Sequence, residues 1–243
     1  MARAVFRFYA ELNDFLPQEH RAVTFEHEFA APATVKDRIE SLGVPHTEVD
    51  LILANGEPVG FDYRVRDGDR ISVYPMFEAF DVAATSPLRP KPLREPKFVL
   101  DTHLGRLAAY LRMLGFDTFY RSHCDDAELA RVSRDEHRIL LTRDTGLLKR
   151  NAVTHGHFVR ETDARKQMVE VVRRFHLERL AAPFTRCLRC NEPLAETSKH
   201  QVLADLPPRT AQLHDEFRRC PACSRVYWKG THYDRMRRLI DSL

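Results

Sequence analysis

Four of the chain's five cysteines stand in two Cys-x-x-Cys pairs, Cys187/Cys190 and Cys220/Cys223. Two residues between thiolates let both sulfurs reach one tetrahedral ion at ~2.3 Å, and four thiolates favour Zn²⁺ over iron. Disulfides are the alternative pairing, disfavoured in a chain that reads as cytoplasmic. The 29 residues between the pairs exceed the roughly 15 to 20 of an ordinary zinc ribbon, so an insertion, His200 to Asp215, is expected between two knuckles. The fifth cysteine, Cys124, reads as a semi-buried thiol rather than a nucleophile.

The second group that can do chemistry is acidic. Asp101 and Asp144 each follow an apolar run that reads as a strand, Phe98-Val99-Leu100 and Ile139-Leu140-Leu141-Thr142. Ligands of open α/β sheets bind beyond the carboxyl ends of the strands, so both carboxylates are expected on one sheet edge. Like charges held close resist joint ionisation unless a cation neutralises them, and oxygen ligands suit Mg²⁺ or Mn²⁺. In Asp125-Asp126-Ala127-Glu128, the first and last residues fit a capping box, which leaves Asp126 as the third candidate ligand. Asp163, at the next helix start, is either a further ligand or an ordinary N-cap. Arg106 and Arg143 offer cations to a phosphate, or ion pairs on the protein's own surface. Trp228, among Arg225, Tyr227, Lys229 and His232, is expected either to stack on an unpaired base or to pack over the knuckles. His103, His155 and His157 have no metal spacing and read as polar surface or loop residues. Asp144-Thr145-Gly146 spells the aspartic-protease triplet, but that chemistry needs two copies and the chain has one.

These groups need elements to hold them. At 243 residues, 43% of them hydrophobic, the chain can bury a core in more than one domain, and no apolar run reaches the ~20 residues of a membrane span. Residues 1–80 carry 8 Lys and Arg against 14 Asp and Glu, whereas residues 81–243 carry 30 against 21. The basic excess accompanies the cysteines and suits a polyanionic partner.

Residues 3–9 and 22–29 alternate as strands, the second placing Val23, Phe25 and Phe29 on one face. Thr34 with Asp37 caps a helix that Gly43 stops, Val49 to Ala54 forms a strand, Asn55-Gly56 a tight turn, and Arg70 to Tyr74 a closing strand. Prolines 87, 90, 92 and 96 mark residues 81–96 as a semi-rigid linker, expected to hold the acidic domain apart and leave it dispensable for chemistry. From Lys97 strands and helices alternate, as in a parallel sheet, and Leu104, Leu107, Ala108, Leu111 and Leu114 form an apolar stripe ended by Gly115.

The order ββαββ over residues 1–80 resembles the ubiquitin-like β-grasp domains, especially the sulfur carriers. Those carriers end in an exposed Gly-Gly, whereas Met76-Phe77-Glu78 runs on here, so a role in recruiting a protein partner is expected instead. The run Phe98-Val-Leu-Asp101 to Phe116-Asp117, then Asp126-x-Glu-Leu, then Arg138 to Leu148, resembles the mut-seven C-terminal ribonuclease family, a PIN-like group. Arg186-Cys-Leu-Arg-Cys190-Asn, Cys220-Pro-x-Cys223 and Tyr227-Trp228-x-Gly-x-His232 continue the resemblance. It implies an α/β fold with a PIN-like parallel sheet at residues 97–182, preceded by the α+β domain and followed by a zinc ribbon at 183–243. It also implies a metal-dependent ribonuclease in which Asp101, Asp126 and Asp144 hold Mg²⁺ or Mn²⁺; the cytoplasm is expected because Glu11 and Asp14 interrupt any secretory apolar core. A noncatalytic RNA-binding module with a partner-recruiting domain is the competing expectation.

Overall fold

The structure is a computed structural model that describes residues 1–30, 32–75, 88 and 95–240. In chain order its elements are β1 (Ala2–Phe8), β2 (Phe25–Phe29), α1 (Val35–Ser41), β3 (Val49–Ala54), β4 (Glu57–Pro58) and β5 (Arg70–Pro75). Then come β6 (Phe98–Leu100), α2 (Gly105–Met113), β7 (Thr118–Tyr120), α3 (Asp126–Asp135), β8 (Ile139–Thr142), α4 (Thr145–Leu148), β9 (Gly156–Phe158) and α5 (Ala164–Arg174). The last are β10 (Ala195–Thr197), α6 (Lys199–Val202), α7 (Pro208–Leu213), β11 (Phe217–Arg219), β12 (Val226–Trp228) and α8 (Thr231–Ile240). The chain divides into two compact units, Met1–Glu95 with Asp126–Phe158, and Pro96–Asp125 with Val159–Leu243. The proline-rich stretch falls outside the described residues except for Leu88, Glu95 and Pro96.

The first unit holds a mixed five-stranded sheet in the order β2-β1-β5-β3-β4, with β1 and β5 parallel and the other neighbours antiparallel. This is the β-grasp architecture expected of residues 1–80. Alternate residues of β1, Ala4, Phe6 and Phe8, are buried together with Val35 and Ile39 of α1, Ile52 of β3, and Ile71 and Val73 of β5. The helix starts with a reciprocal cap, in which the Asp37 N–H donates to Thr34 Oγ1 and the Thr34 N–H to Asp37 Oδ2, both at 3.2 Å. It ends at Gly43, whose φ of +109° and close approach to the Phe15 carbonyl leave no room for a side chain. Asn55 and Gly56 both have positive φ, as the tight hairpin between β3 and β4 requires. One expectation fails, since β2 begins at Phe25 and Val23 is 44% exposed. Residues 10–20 form two 3₁₀ turns that deliver Leu12 and Leu16 to the core instead, and Ala22 takes a left-handed conformation at the strand's approach.

The same unit contains α3, β8, α4 and β9. Strands β8 and β9 pair in parallel, Leu140 with Gly156, Leu141 with His157 and Thr142 with Phe158. They do not stand clear of the acidic domain. Phe15 meets Phe158 edge to face at 5.4 Å, and Lys36 Nζ donates to Asn151 Oδ1 at 2.7 Å. The Glu48 side chain, 1% exposed, is buried against His157, 3% exposed. The expectation of a domain held apart by its linker is corrected here, as is the placing of His157 at the surface. Both errors have one cause, because a contact between residues over a hundred positions apart leaves no periodic trace in the sequence.

In the second unit β6 and β7 pair in parallel, Phe98 with Thr118 through Leu100 with Tyr120. The expected stripe is buried, with Leu104, Leu107, Ala108, Leu111 and Leu114 at most 1% exposed, alongside Met168, Val171 and Val172 of α5. Phe98 lies between Phe116 and Phe175, each 6.0 Å away. The region thus has the parallel strands and flanking helices of a mixed α/β fold. An antiparallel sheet β10-β11-β12 precedes α8, with α6 and α7 between its first two strands, α7 inside and α6 at the start of the stretch expected as an insertion. Val202, Leu206 and Phe217 form its small core, and Ala211, Val226 and Trp228 pack on it.

Candidate metal centre and active-site carboxylates

The two cysteine pairs are built by the same turn made twice. The Asn191 N–H donates to the Cys187 carbonyl at 3.0 Å and the Ser224 N–H to the Cys220 carbonyl at 2.9 Å. The Cys187 N–H donates to the Glu192 carbonyl and the Cys220 N–H to the Arg225 carbonyl, at 2.8 and 2.9 Å. Asn191 and Ser224, each following the second cysteine of its pair, have φ of 71° and 59°. This left-handed residue turns the chain back so that both sulfurs of a pair face one point.

The four sulfurs lie within 4.8 Å of one another, with Cys187 and Cys223 at 3.5 Å and Cys190 and Cys220 at 3.4 Å. A tetrahedral ion with ligands at ~2.3 Å would set them ~3.8 Å apart, so the group fits a structural metal such as zinc. Burial pushes the Cys187 thiol up, but the Tyr227 hydroxyl at 3.1 Å and nearby backbone N–H groups outweigh it and bring it down to about 6. Burial and the neighbouring thiols push Cys190 up to about 12. Crowded thiols cannot all ionise by themselves, and a cation between them removes that conflict.

Sequence reasoning missed what fastens this centre to the sheet. Arg112, 5% exposed, donates from Nε and Nη2 to the Thr118 carbonyl at 3.0 and 2.9 Å, and from Nη1 to the Leu188 and Arg189 carbonyls at 3.1 and 2.8 Å. Burial lowers its pKa, opposed by the thiols of Cys187 and Cys190 and by Asp117. Its charge therefore sits where four thiolates around a Zn²⁺ would leave net negative charge. Asn191 adds two links, accepting from the Thr118 N–H at 2.9 Å and donating to Asp117 Oδ1 at 2.8 Å. The only sequence signal was an arginine in the last turn of a helix, a common solvent-facing position. Arg112→Met should cost about 3 kcal/mol or more, since three carbonyls lose a buried donor. Urea unfolding checks this, and Arg112→Lys should not restore stability because an ammonium lacks the planar fork.

Each candidate aspartate sits where its element begins. Asp101, 9% exposed, follows β6 and caps a 3₁₀ turn, its Oδ1 accepting from the Thr102 hydroxyl at 3.2 Å and the Thr102 N–H. Asp144 is exposed and caps α4, Oδ1 accepting from the N–H groups of Gly146 at 2.6 Å and Leu147 at 3.4 Å. Its own N–H donates to the buried Thr142 Oγ1 at 2.9 Å, which ties the loop to the end of β8. Asp126 opens α3 and lies 3.7 Å from Arg150, both half-exposed. Asp163 caps α5 through the N–H groups of Arg165 and Lys166, the ordinary capping role. Arg106 and Arg143 are exposed, and Trp228 is half-buried on the ribbon core. Asp101 belongs to the second unit, Asp126 and Asp144 to the first. No described helix is long and apolar enough to cross a membrane.

No curated protein matches the chain. About a third of it, 32%, aligns with the whole of small archaeal modifier protein 1 from H. volcanii, at 20% identity and a TM-score of 0.26. The same share aligns with the whole of a putative molybdopterin converting factor subunit 1 from Pyrococcus furiosus, at 22% identity and a TM-score of 0.26. Residues 1–81 match the family described as Mut7-C ubiquitin. Residues 96–240, carrying the strand-end aspartates and both cysteine pairs, match the Mut7-C RNAse domain. That second match spans more than half of the sequence, so the protein belongs to the Mut7-C RNAse domain family, with a ubiquitin-like domain ahead of the nuclease region.

Proposed function

We propose that this chain is a metal-dependent ribonuclease that hydrolyses RNA phosphodiester bonds through Asp101, Asp126 and Asp144. The observation that carries the reading is the Mut7-C RNAse match over residues that place Asp101 directly after β6 and Asp144 two residues after β8. Those aspartates cap through Oδ1, so the helix turns are satisfied by one oxygen of each carboxylate. Hard carboxylate donors suit Mg²⁺ or Mn²⁺. When bound, such an ion supplies an activated water and stabilises the leaving oxygen. The exposed Arg106 and Arg143 would hold substrate phosphates, and the open part of the Trp228 ring would receive an unpaired base. The cysteine centre is structural in this reading, and the ubiquitin-like domain supplies a surface for a protein partner.

Labelled single- and double-stranded RNA and DNA, incubated with Mn²⁺, Mg²⁺ or EDTA, test the proposal. RNA should be cleaved in Mn²⁺ or Mg²⁺ and left intact in EDTA. RNA that binds but stays intact under every condition would put the noncatalytic binding module in its place.

A further inference from the structure

The ubiquitin-like domain reaches the nuclease segment through buried polar groups as well as through the Phe15–Phe158 ring contact. Glu48 Oε1 accepts from the Phe158 N–H at 2.6 Å and faces His157 Nδ1 at 3.1 Å, so one carboxylate grips two successive residues of β9. His46, 8% exposed and two residues earlier, faces the Glu40 carboxylate with Nδ1 at 2.6 Å and the Val153 carbonyl with Nε2 at 2.9 Å. The imidazole thus bridges the domain to the loop before β9. Lys149 Nζ, at the end of α4, donates to the Glu40 carbonyl at 2.8 Å.

We propose that the ubiquitin-like domain is a built-in positioning element of the nuclease, with Glu48 the positioning residue that fixes the Asp144 loop. The path is short. Glu48 holds the Phe158 N–H, Phe158 pairs with Thr142 in the β8–β9 register, and the Thr142 hydroxyl accepts the Asp144 N–H. Val153 ties the intervening chain to the same turn through His46, and Lys149 ties it to α1 through the Glu40 carbonyl. A buried carboxylate offers such a grip only while its partners stay in place, because an unpaired buried charge is strongly unfavourable.

The effect on activity rests on the ribonuclease reading, and the effect on backbone protection does not. In full-length protein, Glu48→Ala should raise amide exchange of Phe158 and its β8–β9 neighbours about tenfold or more, with residues 98–120 and 187–228 unchanged. Groups that orient metal ligands are typically worth 10- to 100-fold in affinity or activity, so the half-saturating Mn²⁺ concentration should rise about tenfold. KM for RNA should stay constant, whereas mere loss of folded protein would lower the rate and leave the metal dependence where it was. Glu48→Gln keeps an acceptor for the Phe158 N–H and should recover most of both properties. If the alanine variant fails to fold, Glu48→Asp, one methylene too short to reach that N–H, carries the test in its place, and wild-type exchange across 139–158 with wild-type Mn²⁺ dependence in the variant that folds would overturn the proposal. A wild-type chain that cleaves nothing would sink the nuclease reading, with the exchange pattern still deciding the clamp.

Discussion

Asp144→Asn protein should cleave RNA at least about a hundredfold more slowly than wild type, a loss of ~2.7 kcal/mol of transition-state stabilisation. The size follows from comparison, since groups that merely orient a metal ligand are already worth 10- to 100-fold and a ligand should be worth more. Asparagine caps helices as well as aspartate does, and its Oδ1 can still accept from the Gly146 and Leu147 N–H groups. The fold of α4 should therefore survive, and an unchanged thermal midpoint is part of the expected result. Asp101→Asn should behave in the same way, as Oδ1 also makes its cap. RNA affinity should hold or rise, because a negative charge facing a polyanion has been removed. Full activity in Asp144→Asn would remove the carboxylate mechanism and leave the family match without a catalytic explanation.

The parts that could be read in advance are those whose cause is local. The Thr34/Asp37 cap, the Asn55-Gly56 turn and the stripe from Leu104 to Leu114 each follow from spacing within a few residues, and each is present. The cysteine spacing likewise pointed to the cluster of four thiols, because a knuckle is a local turn. Val23 was misplaced because strand alternation says nothing about whether a neighbouring loop will fill the core first. Glu48, His157 and Arg112 were beyond reach for a different reason. An acid in a short turn, a histidine in a short strand and an arginine at a helix end are normally solvated, and only distant partners bury them here. The role of Asp126 was readable only as a choice among neighbouring acids, and its 3.7 Å approach to Arg150 marks a charged setting without selecting a chemistry.

Removing the metal from the cysteine centre should undo more than the ribbon. A structural Zn²⁺ contributes roughly 10 to 16 kcal/mol in small domains, comparable to the ~5 to 15 kcal/mol total stability of an ordinary fold. Among the described residues the ribbon's own buried core is Val202, Leu206 and Phe217, small support for a sheet without the ion. If the centre touched only its own ribbon, the damage would stop there. However, the Leu188 and Arg189 carbonyls that accept from Arg112 lie inside the first knuckle, and Asn191 at its end holds Thr118 and Asp117. When that knuckle opens, Arg112 keeps its charge and loses two of its three carbonyl partners in a buried position, which should loosen α2 and β7. Protein treated with a strong chelator, or carrying Cys187→Ser, should show raised amide exchange in residues 105–120 as well as 185–228. Acidification should give the same pattern, as protons return to the thiols and expel the ion. One zinc per chain by elemental analysis is the matching result for untreated protein. Exchange confined to the ribbon would show that the Arg112 anchor transmits nothing, and protein purified without chelator yet containing no zinc would end the assignment of the centre.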